Sequence, residues 1–102
     1  MVEINWTDDA IQDLINIAEY IEIDSYKYAS LTINSLISST VILEISPKAG
    51  RIVSEFHKDS IRELIRGNYR IVYHIVKKNR IDILTVHHSK RLLSNNQALF
   101  GN

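Results

Sequence analysis

The sequence predicts an α+β fold: a small antiparallel sheet of about four strands, packed under an N-terminal helical hairpin, in the order β-α-α-β-β-β. Three observations predict it. Between residues 8 and 44 apolar residues recur every three or four positions, the period of amphipathic helices. After about residue 59 the period changes to two, the period of strands. Two turn segments, Gly67-Asn68 and Lys77-Lys78-Asn79-Arg80, divide that later stretch into three.

Val2, Ile4 and Trp6 alternate with polar residues and read as a short first strand. Thr7-Asp8-Asp9 supplies an N-cap and an acidic first turn for a helix over roughly 8 to 23. Its stripe is Ala10, Ile11, Leu14, Ile17, Ala18 and Ile21. Asp24-Ser25 breaks that helix and caps a second, whose stripe runs through Ala29, Ile33, Leu36, Ile37 and Thr40 to about 44. So few residues join the two that an antiparallel hairpin is expected. Pro47 ends the second helix, and Gly50-Arg51 lies in the loop beyond. Strands follow at 61 to 66, 69 to 76 and 81 to 87, the first pair joined by a turn that places Gly first, as type II′ prefers. Residues 1 to 102 form one domain, and the tail 92 to 102 is expected to be flexible or ordered by a partner.

Turn length sets register, and register sets the faces. The Gly67-Asn68 turn places Ile65 opposite Arg70 and Glu63 opposite Val72. A four-residue loop at 77 to 80 places Val76 opposite Ile81, His74 opposite Ile83, Val72 opposite Thr85 and Arg70 opposite His87. One face then collects Leu64, Ile71, Tyr73, Ile75, Leu84 and Val86, and should lie under the helices. The other collects Glu63, Arg70, His74, Thr85 and His87 beside Ile65, Val72 and Ile83. The helices leave this mixed face open for a partner. An arginine inside a strand needs a partner or an open surface, and Glu63 and His87 stand nearest to Arg70.

Composition bounds the function. The chain has no cysteine, so disulfides and thiolate metal sites are excluded. No apolar run reaches the length of a membrane span, and MVEINWTDDA lacks the features of a signal peptide, so a soluble cytoplasmic protein with no membrane partner is expected. Neither metal-ligand spacing nor a phosphate-binding glycine loop nor G-x-S-x-G is present, and no cofactor is expected. The formal net charge is zero but unevenly spread. Residues 1 to 46 hold one basic residue, Lys27, against eight acids, and residues 47 to 102 hold eleven Lys or Arg against four acids, giving −7 and +7. The basic half either attracts an anionic partner or complements the acidic half internally.

Four segments in order, INWTDDAIQDLINIAEYI, ISPKAGR, IRELIRGNYRIVYHI and IDILTVHHSKRLL, resemble the RelE/ParE superfamily of type II toxin–antitoxin toxins, across residues 4 to 93. The resemblance implies a four-stranded, largely antiparallel sheet with a helical hairpin on one face. It also implies neutralisation by a cognate antitoxin in a toxin–antitoxin hetero-oligomer. RelE-like members cleave mRNA on the ribosome, whereas ParE-like members inhibit DNA gyrase.

Arg70 matches a strand arginine that RelE-like enzymes use on phosphate, and ParE-like proteins often share the segment around it. The lysines of the preceding strand would fall near Ile61 and Glu63 and are missing. The arginine expected directly after the last strand falls at Ser89, with Lys90 and Arg91 close by. The later tyrosine is absent from 92 to 100. Val86 to Arg91 resembles the ending common in ParE-like members. The resemblance is therefore closer to the ParE-like branch: a plasmid-stabilisation type of toxin that inhibits growth by binding gyrase, without catalysis. The antitoxin and target are expected to use Arg51, Arg62, Arg70, His88, Lys90 and Arg91. A RelE-like, metal-independent endoribonuclease is the alternative, with Glu63, Arg70, His87 and Arg91 as its catalytic set and ribosome-bound mRNA as its partner. A third possibility is a degenerate, non-toxic module that binds the antitoxin.

Overall fold

Thr7 turns the chain from strand to helix. Its hydroxyl oxygen accepts from the backbone N–H of Ala10 at 3.2 Å, capping the helix. The same hydroxyl donates to the carbonyl of Ile83 at 2.8 Å, so the cap is also an anchor to the sheet. The structure, a computed structural model, describes residues 1–88 and 96–100. Its elements are β1 (Glu3–Trp6), α1 (Asp8–Glu22), α2 (Tyr26–Ser39), β2 (Arg51–Ile52), β3 (Ile61–Arg66), β4 (Tyr69–Lys77), β5 (Arg80–His88) and α3 (Gln97–Phe100). Among the described residues no helix is long and apolar enough to cross a membrane.

The expected architecture is present. The sheet has one strand more than expected, because Arg51–Ile52 pairs with β3, and its order is β1-β5-β4-β3-β2. β1 joins β5 in parallel; the other pairs are antiparallel. The α1–α2 hairpin lies on one face, over a core of Ala10, Leu14, Leu36, Leu43, Leu64, Ile71, Tyr73, Ile81, Ile83 and Val86. The second helix stops at Ser39, short of the expected 44. Ser39 and Thr40 turn their hydroxyls back onto the carbonyls of Leu36 and Ile37 at 2.7 and 2.8 Å, and the chain tightens into a 3₁₀ turn over Val41–Glu44.

The β3–β4 register is as expected, with Ile65 opposite Arg70 and Glu63 opposite Val72. Gly67 has a φ of 57°, the sign that the first position of a type II′ turn needs. The β4–β5 register agrees at Arg70–His87 and Val72–Thr85, but between them and the turn it is displaced by one residue. Tyr73, and not His74, faces Ile83, and Ile75, and not Val76, faces Ile81. The turn is shorter than expected, since Lys77 pairs with Arg80. An irregularity at Val76 on β4 and another at Leu84 on β5 offset one another, and so the register returns to the expected one at Val72. Ile83 and Leu84 consequently exchange faces. Ile83 is buried under the helices, and Leu84 joins Val72 on the mixed face.

The mixed face is not open, as the sequence had suggested. Val53 and Phe56, from the loop after β2, and Leu99, from α3, pack on Val72, Ile61 and Leu84. The loop before β2 is held from the helix side by Tyr73. Its hydroxyl donates to the carbonyl of Pro47 at 2.7 Å and accepts from the N–H of Gly50 at 2.9 Å. Burial pushes the Tyr73 phenol up in pKa, so the donor is retained throughout the working pH range.

Gly50 sits where no side chain fits. A Cβ there would lie 2.5 Å from the carbonyl oxygen of Glu63 and 2.8 Å from the Tyr73 hydroxyl. Gly50→Ala should therefore cost about 1–3 kcal/mol by overpacking. Asparagine should do no better, because the obstacle is space. At Gly67 nothing lies within 4 Å and only the positive φ matters, so Gly67→Asn should be milder than Gly67→Ala. Denaturant melts of the four variants check both orders.

Candidate functional site

β3 and β4 present Glu63 and Arg70 on the mixed face, and β2 brings Arg51 beside them. Glu63 is directly opposite Arg51 in the ladder and diagonal to Arg70 across β4. Its carboxylate accepts from Nε of Arg51 at 2.8 Å on one oxygen and from Nε of Arg70 at 2.5 Å on the other. The Glu63 side chain is only 2% exposed, that of Arg70 13%, and that of Arg51 68%. Glu55, in the loop after β2, lies 3.6 Å from Nη2 of Arg70. Beside this cluster is an open hollow of about 510 Å³ lined by Arg51, Ile52, Ser54, Glu55, Glu63, Ile65 and Arg70.

His87 stands across β4 from Arg70, as the sequence register places it, and is 6% exposed. Its Nδ1 is 3.0 Å from the side-chain nitrogen of Asn96, which also donates to the Thr85 hydroxyl at 3.1 Å. The Thr85 hydroxyl in turn donates to Asp13 of α1, and the same carboxylate oxygen accepts from the N–H of Val86 at 3.0 Å. His88 points to the helix side, edge-on to Tyr69 at a centroid separation of 5.7 Å.

The sequence-predicted residues thus divide. Glu63, Arg70, Arg51 and His87 share one face. His88 and Arg62 face the other way, since Arg62 is paired with Tyr73. The Arg62 guanidinium bonds Gly50 O, Asp59 O and the Asp59 carboxylate, which ties the loop before β2 to the loop before β3. Lys90 and Arg91 lie outside the described residues.

Sequence reading missed Glu55, Asp13 and Asn96. Of these only Asp13 left a signal, as a carboxylate on the border of the α1 stripe next to Leu14. The complement between acidic and basic halves is also not built from ion pairs. Every ion pair among the described residues joins two groups within 47 to 102, namely Lys48–Asp59, Arg51–Glu63, Arg62–Asp59, Arg70–Glu55, Arg70–Glu63 and Arg80–Asp82.

This arrangement makes a cross-linked, nearly buried charge cluster. A carboxylate with both oxygens taken by guanidinium groups, and almost no exposed surface, presents no free base to a substrate hydroxyl.

The model of the family described as ParE toxin of type II toxin-antitoxin system, parDE, matches residues 4–93. Among solved structures, a chain of the chromosomal ParDE TA system from P. aeruginosa superposes with a TM-score of 0.71 at 20% identity, covering 88% of this chain and 98% of that one. At that identity the likeness concerns the fold. Among curated proteins no relative matches.

Two predictions follow from the charges. Glu63→Gln strips the shared counter-charge from two arginines, one of them nearly buried, and should cost about 3–5 kcal/mol. Arg51→Ala, at the exposed end, should cost under about 1 kcal/mol. In denaturant unfolding the Glu63/Arg70 double-mutant cycle should show the larger coupling.

The second concerns acid. Glu55 is held below its ordinary value of 4.5. Burial alone would raise it, but its own backbone N–H, the Arg70 charge and the Ser54 hydroxyl outweigh that. Asp82 is held below 3.8, where Arg80 and Asn5 outweigh burial, and hydrogen bonds from Lys48 and Arg62 hold Asp59 below 3.8. Lowered carboxyl pKa values contribute stability above the unfolded-state values, and this is lost as pH falls through the folded ones. Stability should therefore decline below about pH 4. Arg70→Ala should flatten the part belonging to Glu55, as read by thermal melts between pH 6 and pH 2.

Proposed function

Because this chain belongs to the ParE toxin family of type II toxin–antitoxin systems, we propose that it arrests growth by binding DNA gyrase without catalysing a reaction, and that a cognate antitoxin neutralises it in the cytoplasm. The observation that supports the non-catalytic reading is the burial of Glu63 and His87 and the pairing of Arg70, three of the four groups that the ribonuclease reading would use. RNA cleavage needs a base within hydrogen-bond reach of the ribose 2′-hydroxyl and a charge aimed at the developing phosphorane. Here Glu63 and His87 are almost fully buried, and Arg70 spends its Nε on Glu63. Releasing Arg70 to a phosphate would leave that carboxylate with one exposed arginine as its partner, a loss of several kcal/mol before any substrate contact.

Zero net charge points the same way. A ribosome binder gains affinity from many phosphate contacts and the counterions they release. Among the described residues, the cations with no ion pair are Lys27, Lys58, Arg66, Lys77 and Lys78, and none of them lines the hollow beside Arg70. A gyrase inhibitor needs a binding surface and no proton-transfer pair. The rigid cluster then serves to hold the mixed face and its covering loop in shape for partners.

The purified protein should inhibit DNA supercoiling by gyrase and leave ribosome-bound mRNA intact, and addition of its antitoxin should restore supercoiling. If it cuts mRNA on the ribosome, and Arg70→Lys removes the cleavage while the fold survives, the proposal is wrong and the RelE-like reading takes its place.

A further inference from the structure

Charges left unanswered inside the chain stand beside exposed apolar side chains at two separate places. The first is the outer side of the helical hairpin. Asp8, Ile11, Ile15, Glu19 and Glu22 follow one another along α1 at spacings of three and four and are all exposed, so they form one stripe. A hollow of about 220 Å³, lined by Ala18 and Glu22 of α1 and by Ala29, Ser30 and Ile33 of α2, shows which sides of the two helices meet. Continuing the same rows along the helices brings Ile37 of α2 beside Ile11 and Ile15. Ile11, Ile15 and Ile37 are 44%, 44% and 42% exposed. Among the described residues Asp8, Glu19 and Glu22 have no ion pair, and Lys27 is the only cation on α1 and α2.

The second place is the end of the sheet where β4 turns into β5. Two open hollows of about 520 and 550 Å³ adjoin there. Met1, Val2 and Lys77 line one, Pro47, Lys48 and Ile75 line the other, and Lys78 lines both. No acid lines either hollow, although Glu3 and Glu44 stand on neighbouring elements. Lys48 is paired with Asp59 at 3.0 Å, whereas Lys77 and Lys78 have no ion pair among the described residues. The two places cannot meet within one chain. α1 follows β5 in the direction of that strand, since Thr7 bonds Ile83 and Asp13 bonds Val86. Glu19 and Glu22 therefore lie toward the end of the sheet opposite the Lys77-Lys78 turn.

We propose that copies of this chain associate head to tail, the lysine-rimmed hollows of one copy seated on the acidic hairpin stripe of the next. Each surface has apolar side chains to bury and charges that the other can answer. Contacts of like with like are disfavoured at both places: hairpin on hairpin sets acid against acid, and turn on turn sets lysine against lysine. The interface is therefore heterologous, and it propagates into a chain or closes into a ring. A net charge of zero leaves the copies without long-range repulsion. The Glu63 cluster takes no part, and the association is independent of gyrase.

Sedimentation velocity of the purified full chain reads the association directly. At about 0.1 M salt the mass should rise with concentration above that of one chain, and at about 1 M salt, where the Debye length shrinks from about 10 Å to about 3 Å, it should fall back. Two double variants, Lys77→Glu with Lys78→Glu and Glu19→Lys with Glu22→Lys, change only exposed side chains, and their circular dichroism should match the wild type. Each alone should sediment as a single chain, because like charges then face each other. An equimolar mixture of the two should recover the association, because every contact between unlike variants again joins opposite charges. A wild type that stays single at every concentration in low salt would overturn the proposal. So would association undiminished by high salt, a double variant that associates as well as the wild type, or a mixture that stays apart.

Discussion

The buried carboxylate of Glu63 is the constraint around which the mixed face is arranged. An ion of that size cannot leave water without partners. Two arginines from different strands meet it, one on each oxygen. The strand that supplies Arg51 is only two residues long, too short for its ladder to hold it alone. β2 exists because its side chain answers a charge on β3, and because the preceding loop is pinned from the other face. There Arg62 takes the carbonyl of Gly50 while Tyr73 takes its N–H. The adjacent β3 residues Arg62 and Glu63, pointing in opposite directions, thus secure one loop from both sides of the sheet. Val53 and Phe56 follow from that loop to close over Val72.

The opposite end of the sheet solves a different problem. β1 stops at Trp6, opposite Ile83, while β5 continues to His88, which leaves the later part of β5 without a neighbouring strand on that side. Backbone N–H groups at such an edge need partners. A carboxylate from the first half of α1 supplies one: Asp13 accepts from Val86 N–H and from the Thr85 hydroxyl. The irregularity at Leu84 matters here. It gives β5 an extra residue opposite Val72 and re-aims Thr85 within reach of the helix. Helix, strand edge and α3 are then joined through one hydroxyl.

This division explains what the sequence could reveal. Both helices, the three long strands and the Glu63–Arg70–His87 face follow from periodicity and from one glycine-first turn, which are local signals. The short strand at Arg51–Ile52 left no local signal, since two residues have no period and its cause lies twelve positions away at Glu63. The exchange of Ile83 and Leu84 was equally hidden. Both are apolar and fit either face, so the alternating pattern cannot register a bulge between them. The structural role of Arg62 was hidden for a related reason. A lone arginine near an edge looks like an offered charge until the carbonyls it satisfies are seen. Asn96 had no signal at all, because its partners are a side chain and a ring brought together only by tertiary structure.

Charge distribution leads to the last step. All four acids of the basic half are used by its own Arg and Lys, whereas among the described residues no acid of the first 46 meets a Lys or Arg. Internal pairing therefore spends the arginines of the mixed face without touching the acids of the helical hairpin. The hairpin keeps its acids, against the single Lys27, beside exposed apolar residues such as Ile11, Ile15, Tyr20 and Leu31, and the later half of the chain keeps Lys58, Arg66, Lys77 and Lys78 exposed. Two surfaces of opposite character are thus displayed by a chain whose net charge is zero. Partners that differ in charge can be separated by such a molecule without any residue serving both, because electrostatic complementarity selects the surface before close packing begins. The paired arginines at Glu63 take no part in that selection. Their charge is already answered, and their contribution is the stiffness of the mixed face.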